Sequence, residues 1–130
     1  MIITRYSQLV MPQDANVVGT LFGGKMVSWM DVSASKAVHR FLKDTKAELA
    51  LTRAIDAIEF KEPVYVGNWV NFEAKILETG KSSIVIQINA FKESHHIEKV
   101  LACKATFTFV SVKKNSDETF IKVNHNKRPE

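Results

Sequence analysis

The chain has 130 residues, 45% of them hydrophobic and 25% charged, and a mass of 14.7 kDa. That length and ordinary globular composition point to one domain and exclude a repeat array or a disordered polymer. Eighteen Lys and Arg against 14 Asp and Glu leave a formal net charge of +4 and a pI near 9.2. A chain of this size buries roughly two-thirds of its unfolded surface, so it needs no disulfide or metal to hold together. The single cysteine, Cys103, removes intrachain disulfides and zinc-finger spacing, and its alternating apolar run reads it as a small buried hydrophobe. The opening Met1-Ile2-Ile3-Thr4-Arg5-Tyr6 lacks the apolar core of a signal peptide, and no apolar stretch approaches the ~20 residues that span a bilayer. The expected setting is reducing and cytoplasmic, with no membrane partner.

In chain order, residues 2–11 are apolar or β-favouring and stop at Pro12, as a short first strand does. Pro12 to Thr20 carries turn residues and reads as a loop. Gly23-Gly24 then opens the one long helical pattern, Lys25 to Lys43. Four strands are predicted after it: Leu49–Phe60, Trp69–Leu77, Ser83–Phe91 and Val100–Val112. Alternation is clean in the last three, where Val70, Phe72, Ala74 and Ile76, then Ile84, Ile86 and Ile88, then Leu101, Cys103, Ala105, Phe107 and Phe109 each share a face. Punctuation falls at Pro63 with Gly67, at Gly80-Lys81-Ser82, and at Glu93-Ser94-His95-His96. The result is an α+β fold in which one long helix covers a face of a five-stranded antiparallel sheet. Residues 1–112 form the domain, and 113–130 a polar, basic tail that is either a frayed end or a short edge segment.

The helix carries an anomaly. At about 100° per residue, one arc reads Met26, Ala37, Met30, Phe41, Ala34, Val27, Val38, Asp31, Leu42, apolar but for Asp31. The other arc carries Ser35, Ser28, His39, Lys43, Lys36, Arg40 and Ser33 as a solvent face, with Trp29 and Val32 hinting at a partner surface. A carboxylate at the edge of an apolar stripe must be paired, hydrogen-bonded or functional. Drawn out of water, a carboxylate becomes a better general base near neutral pH. Gly23-Gly24 offers bare N–H groups at a helix N-terminus, where a carbonyl oxygen gathering negative charge can be held. A tight loop-to-helix turn and a structurally satisfied Asp account for the same residues, and these residues alone leave both readings open.

The run Met11-Pro12-Gln13-Asp14-Ala15-Asn16-Val17-Val18-Gly19-Thr20-Leu21-Phe22-Gly23-Gly24, followed by Trp29-Met30-Asp31, resembles the hotdog-fold acyl-CoA thioesterases. It is most similar to the small bacterial hydrolases related to the animal cytosolic enzyme. Phe60-Lys61-Glu62-Pro63-Val64-Tyr65-Val66-Gly67, Gly80-Lys81-Ser82-Ser83 and Lys104-Ala105-Thr106-Phe107-Thr108-Phe109-Val110 extend the resemblance over Ser7 to Val112. It implies a five-stranded sheet wrapped around the helix, and homodimers that pair into a ten-stranded sheet, commonly three to a hexamer. It also implies catalysis by Asp31 and Asn16, meeting across the dimer interface. Asp31 would activate water against the thioester, or attack directly; Asn16 would orient the reactants, and the N–H groups near Gly23 and Gly24 would hold the oxyanion.

A coenzyme A leaving group bears phosphates, so a basic rim is expected. The resemblance places Gly80, Lys81, Ser82 and Ser83 along the CoA groove, with Lys61 as a further contact. Lys104, Arg53 and the tail cluster Lys122, His125, Lys127 and Arg128 are weaker candidates. His39, His95, His96 and His125 have no metal-ligand spacing with Cys103 and read as surface residues, so no metal is expected. No cofactor is expected either, since coenzyme A belongs to substrate and product. No Gly-x-Ser-x-Gly elbow occurs, which argues against an α/β-hydrolase. The alternative function is a non-catalytic acyl-CoA or lipid-binding regulatory module on the same fold. Scattered basic residues without interleaved aromatics argue against a nucleic-acid partner.

Overall fold

The computed structural model describes residues 2–47 and 49–129. Met1, Glu48 and Glu130, of which the first and last enter the reading of the two termini, lie outside the described residues. The elements run β1 (Thr4–Leu9), a single 3₁₀ turn (Pro12–Asp14), α1 (Gly23–Phe41), β2 (Leu49–Phe60), β3 (Trp69–Thr79), β4 (Ser83–Glu93), β5 (Val100–Lys114) and β6 (Phe120–Lys122). The sheet order is β1-β3-β4-β5-β2, antiparallel throughout, with β6 paired to β5. The α+β arrangement expected from the sequence is the one found. β2 keeps its predicted bounds, whereas β3, β4 and β5 each run about two residues further than expected.

The alternating faces of β3, β4 and β5 make the floor of the core. Phe72, Ile84, Ile86, Ile88 and Phe107 are fully buried there, and Met30 of α1 lies among them. Cys103 is buried as expected, its Sγ 3.7 Å from Met30 Sδ. α1 begins two residues earlier than predicted, since both glycines are helical, and ends at Phe41 rather than Lys43. The chain leaves the helix through Asp44, whose φ of 67° lies in the left-handed region, while Thr45 Oγ1 donates to the Leu42 carbonyl at 2.7 Å.

The solvent face assigned to α1 needs correction at two places. Trp29 and Ser33 are buried, with Trp29 packed edge-on against Phe72 at a ring-centroid distance of 6.4 Å. α1 touches all five long strands, because the sheet curls around it, so the buried arc extends from Met26 back through Ser33 to Trp29. A helical wheel that assumes one flat contact stripe misses this flank. Val32 remains exposed on the open side.

The polar tail does not fray. β6 lies beside the end of β5, pairing Val112 with Lys122, just past the point where β4 begins its pairing of Ser83 with Val110. The Val123 and His125 N–H groups then donate to the carbonyls of Ser111 and Lys81, at 3.0 and 3.1 Å. His125, read from the sequence as a surface residue, is buried with its ring edge-on to Phe41. Its burial follows from this docking, which tail composition alone does not reveal. His39, His95 and His96 are exposed as expected.

Candidate active site

Asp31 lies on the flank of α1 that faces β2, one edge of the sheet. It is half-buried, at the rim of the apolar face rather than within it. Thr52 Oγ1 of β2 donates to Asp31 Oδ1 at 2.7 Å. Among the described residues no cation pairs with the carboxylate, and no donor reaches Oδ2. One oxygen is therefore fixed and the other is free to take a proton, the arrangement a general base requires. The sequence reading missed Thr52. Thr52 is an exposed residue of an irregular strand, so neither burial nor the alternation along β2 marks it out in the sequence.

β2 is irregular around this contact. Its register with β5 shifts between Thr52 and Ala54 and again between Asp56 and Glu59, and within the second shift Ala57 has φ 51°. Bulges bend a strand and re-aim its side chains, and these two bracket the segment that follows Thr52.

Asn16 organises the loop that enters the helix. Its Oδ1 accepts from the N–H groups of Val18 and Thr20, both at 3.1 Å, and its Nδ2 donates to Thr20 Oγ1 at 2.7 Å. That leaves one Nδ2 hydrogen, so Asn16 can donate to a ligand but its acceptor is occupied. The loop is pinned from both sides. Phe22 N–H donates to Asp14 O at 3.1 Å, Leu21 N–H to Val64 O at 2.7 Å, and Lys25 Nζ lies 3.5 Å from Asp14 Oδ1.

The first intrahelical bond runs from Met26 N–H to Phe22 O at 3.1 Å, which leaves the N–H groups of Gly23, Gly24 and Lys25 without acceptors among the described residues. A Cβ on Gly23 would stand 3.3 Å from the Phe60 ring, so glycine lets Phe60 close against this turn. Beside it opens a cleft of about 210 Å³ lined by Thr20, Leu21, Met26, Phe60, Lys61 and Val64 among others. Eight residues of helix separate Gly23 from Asp31, about 12 Å of rise. One chain's first-turn donors are thus too far from its own Asp31 to share one carbonyl. Asn16 and Asp31 likewise share no hydrogen bond within the chain.

The β3–β4 turn is tight. Gly80 N–H donates to the carbonyl and to Oγ of Ser83, each at 3.0 Å, and a Cβ on Gly80 would lie 2.5 Å from that Oγ. Lys81 at its tip is exposed, and Ser82 and Ser83 are half-buried. Lys61 sits elsewhere. Its N–H donates to Ala102 O, eight residues along β5 from the Val110 that pairs with Ser83, roughly 27 Å of strand. Lys61 is also engaged, 3.1 Å from Glu59, with Lys104 3.9 Å from the same carboxyl. The Lys61 hydrogen bond, and after it the Lys104 charge, hold the Glu59 carboxyl below the ordinary carboxylate range. Lys61 and the 80–83 turn of one chain therefore face different regions. Arg53 is exposed on β2.

A helix cradled by a curled antiparallel sheet, with a half-buried carboxylate beside the edge strand, defines the hotdog class of thioesterases. The thioesterase superfamily model matches residues 18–99. A Haemophilus influenzae protein named as an uncharacterised acyl-CoA thioester hydrolase is 32% identical over 111 residues, covering 82% of this chain and 70% of that one. The human cytosolic acyl coenzyme A thioester hydrolase is 27% identical over 115 residues, 85% of this chain and 30% of the human protein. The crystal structure of a hexameric thioesterase from Yersinia pestis superposes with a TM-score of 0.79 at 28% identity, covering 94% of both chains. The chain belongs to the thioesterase superfamily.

Proposed function

We propose that this protein hydrolyses acyl-CoA thioesters to free acid and coenzyme A, with Asp31 as general base. The observation that carries the reading is the carboxylate fixed by Thr52 through Oδ1 with Oδ2 free, on a superfamily scaffold whose relatives include named acyl-CoA hydrolases. Asp31 takes a proton from water as the water oxygen bonds to the thioester carbonyl carbon. The carbonyl oxygen, now negative, is held by N–H groups at Gly23 and Gly24. The C–S bond then breaks, and the Asp31 proton passes to the departing sulfur. Asn16 donates its remaining Nδ2 hydrogen to the water or the carbonyl. Gly80, Lys81, Ser82 and Ser83 line the coenzyme A groove.

The site is built from two chains. The 12 Å of helix between Gly23 and Asp31 supports this, as does β2, a long edge strand whose exposed Leu49, Leu51, Ile58 and Phe60 invite a second copy. Paired through β2, two protomers would bring Asp31 of one to the Asn16 loop of the other, and the hexameric Yersinia pestis relative fits a trimer of such dimers. The setting is cytoplasmic, in keeping with the free thiol of Cys103 and the cytosolic human relative. No described helix is long and apolar enough to cross a membrane.

The test is thiol release from acyl-CoA substrates across chain lengths, by wild type and Asp31→Ala together. The substitution is expected to cost at least ~10²-fold in kcat with the fold intact, the scale of losing a general base. Near-normal turnover by the variant would refute the assignment. A wild-type chain that binds acyl-CoA without turnover would establish the binding-module alternative instead.

A further inference from the structure

We propose that Lys92 is a positioning residue for the candidate site: its buried ammonium clamps the connector between β2 and β3, and through it sets the loop that carries Asn16. The inward face of β4 runs Ile84, Ile86, Ile88, Ala90 and then Lys92, which is only 6% exposed. An apolar side chain there would extend the same face without the cost of drawing an ammonium out of water, so the charge needs a reason. Both of its described partners lie on the connector, residues 61–68. Nζ donates to Pro63 O at 2.6 Å and stands 5.7 Å from the Tyr65 ring centroid.

The connector is anchored at both ends. At one, the N–H groups of Lys61 and Glu62 share Ala102 O, at 2.8 and 3.2 Å; at the other, Gly67 N–H donates to Val10 O and Val10 N–H to Asn68 O, both at 2.9 Å. Between them Pro63 has no N–H to give, and among the described residues the Lys92 ammonium supplies the one polar bond from the sheet to residues 63–66. The other side of this stretch holds the Asn16 loop. Val64 O accepts from Leu21 N–H at 2.7 Å, Gly19 O accepts from Val66 N–H at 3.4 Å, and Tyr65 forms a β-bridge with Thr20. Thr20 in turn fixes Asn16 three times. Its carbonyl accepts the Asn16 N–H at 2.8 Å, its own N–H donates to Asn16 Oδ1 at 3.1 Å, and its Oγ1 accepts from Nδ2 at 2.7 Å. The ammonium thus reaches the Asn16 amide through the connector and Thr20. Pro63 is exposed, so its carbonyl can take water if the cation is removed, and the cost then falls on the loop rather than on the core.

Lys92→Met tests the clamp, since it keeps the apolar stem of the side chain and removes the ammonium. The kinetic consequence rests on the proposed hydrolase activity. Thiol release from an acyl-CoA is expected to show kcat lower by ~10-fold with KM little changed, because a misplaced orienting group costs rate more than binding. In an Asn16→Ala background the same substitution is expected to cost almost nothing further, since the group it positions is already gone. Wild-type kcat in Lys92→Met, or an equal loss in both backgrounds, would overturn the proposal.

Amide hydrogen exchange on the full chain reads the same clamp without any turnover. The Leu21 and Val66 N–H groups, bonded between loop and connector, are expected to exchange at least ~10-fold faster in Lys92→Met, while the β4–β5 ladder keeps its wild-type rates. Unchanged exchange at Leu21 would overturn the proposal. So would a uniform quickening of loop and ladder, or a variant that does not fold, since a lysine that only positions a loop leaves the core foldable without it. A wild-type chain that releases no thiol sinks the hydrolase reading, and exchange at Leu21 then decides whether Lys92 holds the loop.

Discussion

Replacing Thr52 by valine removes one hydroxyl while keeping the β-branch and nearly the volume of the side chain. Thr52 is exposed on the edge strand, so the fold has little to lose, and any large effect must run through Asp31. A hydrogen bond to a charged group contributes about 1.5–3 kcal/mol. This pair stands near solvent, so the lower figure applies, and at about 1.4 kcal/mol per factor of ten it corresponds to roughly tenfold in kcat. Unheld, the carboxylate samples other rotamers and Oδ2 meets the water less often, so the loss falls on kcat rather than KM. Thr52→Ser should restore most of the rate, because it returns the donor. Steady-state thiol release provides the measurement, and the decisive comparison is a double-mutant cycle with Asp31→Asn. Once the carboxylate is gone, the valine substitution should cost almost nothing more. An equal loss in both backgrounds, or a wild-type kcat in Thr52→Val, would refute the idea that Thr52 works by positioning Asp31.

Two further predictions concern stability. Burial pushes the Cys103 thiol up to about 11 from an ordinary value of 9.0, so in the native state it stays protonated at pH 8 and inert to a disulfide reagent until the chain opens. Well below pH 9 the thiol is neutral folded or unfolded, whereas as pH rises through about 9 toward 11 the unfolded chain ionises first and stability falls. Thiol-reagent kinetics at pH 8 check the first statement and thermal melts from pH 8 to 11 the second; fast native labelling or a flat stability profile would contradict them. Ala57, in the left-handed region at φ 51°, should gain from Ala57→Gly by about 0.5 kcal/mol after glycine's greater unfolded entropy is subtracted, a rise in Tm of about 2 °C; a lower Tm would show that the bulge carries no such strain.

The fold was legible in the sequence wherever one periodicity ruled. β3, β4 and β5 bury one face against α1, and the predicted alternating residues are buried except Ile76 near the end of β3 and Leu101, which are half-buried; at the β4–β5 bulge Ala102 is buried in place of Leu101. The errors arose where tertiary curvature overrode a local pattern. Trp29 and Ser33 looked solvent-facing because a wheel cannot know that β1 and β3 fold up the far side of the helix. His125 looked like part of a charged end because nothing in the order of tail residues announces that its ring finds Ser83 O and the Lys127 N–H. Asp31 was legible as an anomaly, but its partner was not. The bulge after Thr52 breaks the period of two, so counting along β2 does not show which residues face the helix. Asn16 was reached by resemblance alone, and the coordinates add a chemical restriction, since its acceptor is spent on its own loop.

The helical rise between Gly23 and Asp31, and the lack of a hydrogen bond between Asn16 and Asp31 of one chain, make a shared site directly testable by mixing two dead proteins. Asn16→Ala and Asp31→Ala chains each disable every site of their own homodimers. After unfolding and refolding together in equal amounts, half the dimers formed at random contain one chain of each kind. In such a dimer one site receives both substitutions, and the other receives neither, because its Asn16 comes from the Asp31→Ala chain and its Asp31 from the Asn16→Ala chain. One intact site in two, in half of the dimers, returns about a quarter of the wild-type activity. The isologous symmetry of a two-fold dimer enforces that number, and assembly of dimers into hexamers leaves it unchanged. If Asn16 and Asp31 of one chain served the same site, no exchange of protomers would rebuild one, and the mixture would stay as inactive as its parts.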